Sequence, residues 1–238
     1  MSQWSDLADW RPTSAHGGAM QEYRGLVLHI AEGYYEGTIS WQQNPANQVS
    51  SHFVVGRDSG ELAQLVDTDV TAWTQRAGNG HWLSLECAGF TLSNPLHKPG
   101  WELMTPWQIQ CAADLLVRMH HQYGTPIQLA VSASGTGLGH HSMGGVPWGH
   151  LECPGLPIIH QKPSVITLAQ NLVKPVGEIT VSAVVQGIMD VLEQASNASL
   201  PDGDPNKKPT TQEGRNAVVF LRRILTPIVT DIVKPVVP

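Results

Sequence analysis

Residues 105–124, TPWQIQCAADLLVRMHHQYG, decide the class of fold. Thr105 is placed to cap a helix, Pro106 suits its first turn, and Gly124 suits its end. Ile109, Ala112, Ala113, Leu116, Met119 and His120 recur at three- and four-residue spacing, which predicts one buried face. The flanking segments have a different period. GLVLHIA (25–31) is a short apolar run bounded by glycine, fitting a buried strand. SSHFVVGRDSGELAQLVD (50–67) predicts two strands around a turn at RDSG, and WLSLECAGF (82–90) predicts another. Strands mixed with a few helices imply an α/β (α+β) fold, a central mixed sheet with helices packed on it.

The chain has 238 residues, enough for one sizeable core and a small second element. All eight tryptophans and all eleven histidines precede residue 165, and only Phe220 is aromatic after it. A histidine- and tryptophan-rich domain over 1–165 is therefore expected, followed by a helical C-terminal extension over 166–238. Within that extension, the stretch 196–214, rich in Pro, Ser, Asn and Asp, resembles a linker. A net charge of −6 argues against nucleic acid as a partner, since phosphate binding needs clustered Lys and Arg. No apolar run approaches the roughly 20 residues of a membrane span. The polar start, MSQWSDLADWRPTS, has no basic stretch followed by an apolar core, so a secretory signal is not expected. Three widely spaced cysteines do not suggest a disulfide framework.

Chemistry concentrates in GLGHHSMGGVPWGHLECPG (137–155). Zinc takes imidazole nitrogen and thiolate sulfur, and its catalytic sites use three protein ligands. His29 from its strand, with a histidine and Cys153 from this stretch, could supply that set. Alone, His29 reads as a core histidine. The competing chemistry, a Cys–His nucleophile, needs a base beside the thiol and usually a helix N-terminus. The PGLP following Cys153 is not expected to start such a helix, which favours metal.

LVLHIAEG, VSSHFVVGRDSGELAQLVD, AW, WLSLECAGF, the 105–127 segment and GLGHHSMGG…WGHLECPG occur in one order from about residue 22 to about 160. Together they resemble the zinc-dependent N-acetylmuramoyl-L-alanine amidases of the type-2 amidase fold, which include phage endolysins and share their fold with peptidoglycan recognition proteins. The resemblance implies cleavage of the amide between N-acetylmuramic acid and the L-alanine of the stem peptide. It implies Zn2+ held by His29, His141 in preference to His140, and Cys153. Glu86 matches the glutamate beside the zinc-bound water, although alone it reads as a strand-end carboxylate. Some relatives carry a lysine where this chain has Leu151; His150, otherwise a loop histidine, is the candidate to replace it. Ser51 stands where some phage relatives have tyrosine. Trp73 and Asn79 lie where relatives line the substrate groove. His52 is expected to be structural, Trp41, Trp82 and Trp148 core residues before sugar contacts, and Cys87 and Cys111 ordinary buried thiols.

Peptidoglycan is thus the implied partner, after cytoplasmic synthesis and holin-type or particle-mediated release. A non-catalytic peptidoglycan-binding module is the alternative; Cys153 weighs against it, because recognition proteins typically lack that ligand. The C-terminal extension is a candidate for self-association, or for binding a wall polymer or carrier particle. The resemblance does not reach it.

Overall fold

The structure, a computed structural model, describes residues 3–174. Six strands form the main sheet: β1 (Asp9–Trp10), β3 (Gly25–Ile30), β4 (Phe53–Val55), β5 (Leu62–Gln64), β7 (Trp82–Cys87) and β8 (Gly137–His140). Their spatial order is β1-β5-β4-β7-β3-β8. β2 (His16–Ala19) and β6 (Val70–Ala72) pair separately. The helices are α1 (Tyr35–Gln43), α2 (Pro106–Tyr123), α3 (Gly145–Trp148) and α4 (Leu156–Val173).

The expected α/β architecture is present. β4, β7, β3 and β8 run parallel as neighbours, and β5 returns antiparallel to β4 across the RDSG turn. Every residue of β3 is buried, as in a parallel strand covered on both faces. Leu26, Leu28, Leu83 and Leu85 pack with Cys111, Ala112, Leu115, Leu116 and Met119 of α2. The opposite face carries Val27 against Trp82 and Trp148. His29, two residues beyond Val27, shares that second face.

Local signals define α2 well. The Thr105 hydroxyl accepts from the Gln108 N–H, the Gln108 side chain accepts from the Thr105 N–H, and Gly124 ends the helix in the left-handed region at φ 72°. His120 departs from the expected buried face. It is exposed, its Nδ1 bonded to the Thr125 carbonyl, while Gln108, Gln110 and Leu115 are buried instead.

PGLP also behaves differently from expectation, because α4 begins at Leu156. Pro157 falls in its first turn, where a missing N–H costs nothing. The helix then passes residue 165, and Val165, Ile166 and Ala169 are buried. The first compact unit accordingly runs Met1–Leu172. The second, Val173–Pro238, lies almost wholly outside the described residues, as do the linker at 196–214 and any self-associating surface of the extension. Among the described residues, no helix is long and apolar enough to cross a membrane.

Candidate metal centre

The C-terminal ends of parallel strands meet along one edge, where open α/β sheets gather their ligands. His29 stands near that end of β3, and its register partner on β7 is Glu86. Paired residues point to one face, and His29 Nδ1 lies 3.8 Å from Glu86 Oε1. On the other flank Leu28 pairs with His140. His140 therefore takes the leucine face, where its Nδ1 is 3.1 Å from Lys162 Nζ. The next residue, His141, opens a 3-10 turn (His141–Gly144) and meets His29 with ring centroids 4.4 Å apart.

Cys153 arrives on the loop after α3. The Ser142 N–H donates to its carbonyl over 2.7 Å, tying that loop to the turn bearing His141. Its Sγ lies 3.9 Å from His29 Nδ1. The ligand atoms of His29, His141 and Cys153 all fall within 4.8 Å of one another. The outer edges of both rings are engaged. His141 Nε2–H donates to the Trp148 carbonyl over 3.0 Å, leaving Nδ1 for the cluster. His29 Nε2 is 3.1 Å from Gln75 Oε1.

Residues 19–156 match the N-acetylmuramoyl-L-alanine amidase family. The chain belongs to that family. It is 33% identical over 84 residues to N-acetylmuramoyl-L-alanine amidase A of Achromobacter lyticus, covering 34% of this chain and 48% of that protein. The chain thus spans about half the length of the curated relative it matches. The Staphylococcus aureus hydrolase AmiA, solved in complex with its ligand, shares the fold at TM-score 0.53 and 15% identity, covering 68% of this chain and 82% of AmiA. A mutant endolysin from Bacillus subtilis is similar at TM-score 0.48 and 15% identity, over 68% of this chain and 97% of its own.

The electrostatics of this amidase-family site suit a cation. Burial, then the neighbouring His141, holds His29 well below its ordinary range, and burial also lowers His141. Both rings are therefore neutral, with lone pairs to give. Burial, then Glu32, pushes the Glu86 carboxyl up to about 8, and burial with Glu86 nearby pushes the Cys153 thiol up. Each shift reflects burial, which disfavours the anionic form unless a cation stands beside it. Among the described residues, Glu86 Oε2 is buried without a hydrogen-bond partner. Two imidazole nitrogens, one sulfur and an orphaned carboxylate oxygen fit zinc.

The other expected residues divide. His150 is exposed at the rim, its ring 5.2 Å from that of His141. Trp73 is 37% exposed. Asn79 uses its Oδ1 internally, accepting from the N–H groups of Thr74 and Gln75 at 3.0 and 2.6 Å. His52 is buried outside the cluster, its Nδ1 accepting from the Ser84 N–H and its Nε2–H donating to the Val70 carbonyl. Trp82 and Trp148 are buried, whereas Trp41 is 62% exposed. Cys87 and Cys111 are buried thiols, as expected. Sequence reasoning passed over Gln75. An amide in an irregular turn, recognisable only by its tertiary partners, offers no spacing to read.

Proposed function

We propose that this chain is a zinc-dependent peptidoglycan amidase that hydrolyses the bond between N-acetylmuramic acid and the L-alanine of the stem peptide. The observation that carries the reading is the convergence of His29, His141 and Cys153 within 4.8 Å, with Glu86 beside them. Zinc held by His29 Nδ1, His141 Nδ1 and Cys153 Sγ would polarise the scissile carbonyl and lower the pKa of water.

The chain's own residues do the rest. Glu86 takes a proton from the attacking water and returns it to the alanine nitrogen as the C–N bond breaks. Water's oxygen stays on the lactyl carbon, so the products are a carboxylate and a free amine. His150, at the rim, donates to the carbonyl oxygen as negative charge develops there. Trp73 offers an apolar surface to the substrate, and Asn79 retains its amide N–H groups for a polar contact. Delivery to the wall by holin-type or particle-mediated release belongs to the same reading.

The test is digestion of purified peptidoglycan with chelator, then with zinc restored. New α-amino groups on L-alanine, lost with chelator and regained with zinc, are the expected result. Intact stems with retained wall binding would replace this reading by a non-catalytic binding module.

A further inference from the structure

We propose that Gln75 is a positioning residue that fixes the tautomer and ring orientation of His29, and that Asn79 holds Gln75 in place. Gln75 is 1% exposed. Its Nε2 donates to the carbonyls of Trp82 and Gly78 at 3.2 and 3.4 Å. Carbonyls only accept, so those bonds turn the amide oxygen toward His29 Nε2 at 3.1 Å. An amide oxygen also only accepts. The His29 proton must then sit on Nε2, and the Nδ1 lone pair points to Cys153 and Glu86.

The support continues outward. Asn79 Oδ1 receives the backbone N–H of Gln75 and of Thr74, which closes the 74–79 turn. Arg76 within it holds φ 46°, a left-handed conformation uncommon for a side-chain-bearing residue. Trp82 belongs to β7, the strand that also carries Glu86. One side chain therefore fastens the turn to β7 and to the tip of β3. His141 has the matching arrangement through the Trp148 carbonyl, so both rings present the same nitrogen.

The zinc consequence rests on the function proposed above; the tautomer does not. The experiment is long-range 1H–15N correlation on metal-free, histidine-labelled protein, paired with zinc competition against a chromogenic chelator. Wild type should show His29 as the Nε2–H form. Gln75→Leu, of similar volume without an acceptor, should mix the tautomers and weaken zinc by roughly 10–100-fold, the usual cost of losing such a partner. Gln75→Glu should restore both, because a protonated carboxyl can donate to the Trp82 carbonyl and accept from His29. If Gln75→Leu fails to fold, Asn79→Ala replaces it, with an intermediate loss expected. His29 found as the Nδ1–H form in wild type, or zinc held as tightly by the acceptor-free variant, overturns the proposal. A wild type that binds no zinc sinks the amidase reading alone, and the tautomer measurement still decides the role of Gln75.

Discussion

His140 stands opposite Leu28 in the β3–β8 register, and this pairing sends its neighbour His141 to the face of the sheet that carries His29. A strand alternates its side chains, so the two adjacent histidines cannot both join the cluster. His141→Ala should weaken zinc binding by more than the roughly 10–100-fold cost of losing a ligand's outer partner. His140→Ala, which removes a contact to Lys162 on the other face, should leave zinc in place. Chelator competition on both variants is the check, and the opposite ranking would exchange the two assignments.

Glu86 is separable from the ligands by its chemistry. Glu86→Gln preserves the volume beside His29 but removes the proton acceptor that the proposed mechanism assigns to Glu86. Amide hydrolysis should fall by about 10²–10⁴-fold with zinc affinity largely retained. Single-turnover rates beside metal content make the distinction. Loss of zinc in step with activity would instead make Glu86 a ligand.

Local features were the legible ones. Thr105, Gln108 and Gly124 set the limits of α2 through bonds closed within a few residues, and RDSG turns β4 into β5 the same way. His29, His141 and Cys153 were legible as residue types because few uses suit two imidazoles and a thiol. β8 was not legible. GLGH contains no β-branched residue and reads as loop, yet it pairs as a strand because Gly25 on β3 leaves room for the Gly137 carbonyl, and Gly137 and Gly139 clear Gln128 and Met143. β1, β2 and β6, at two to four residues, are too short to show a period. Asn79 was read as a groove residue, while its oxygen serves a turn that only the tertiary structure reveals.

The close approach of β3 and β8 gives a stability prediction. A Cβ on Gly25 would lie 1.8 Å from the Gly137 carbonyl oxygen and 2.7 Å from the Trp82 ring. Backbone cannot yield as a flexible side chain can. Gly25→Ala should cost about 2–3 kcal/mol or more, seen as a Tm lowered by roughly 5–10 °C. Because β8 leads directly into His141, zinc affinity should fall as well. Thermal unfolding with and without zinc measures both, and an unchanged Tm would mean that the strands can separate at little cost.

His52 predicts how the metal-free protein responds to acid. Its two ring nitrogens are committed in the neutral form, one accepting from the Ser84 N–H and the other donating to the Val70 carbonyl. Protonation would bring a second donor against Ser84 in a fully buried place. Burial lowers its pKa from 6.5 to about 4, and the Val70 bond offsets this only in part. The unfolded chain takes up the proton near 6.5, the folded chain only near 4. Stability contributed by neutral His52 is therefore complete above 6.5 and lost as pH falls toward 4, on the order of 3 kcal/mol. Burial and the Lys162 charge take His140 down to about 4 as well, so its contribution has the same sign. Urea unfolding from pH 7 to 4.5 in chelator should show the decline. Direct NMR titration should find the His52 ring still mostly neutral at pH 4.5, and protonation near its ordinary pKa would remove this source of acid sensitivity.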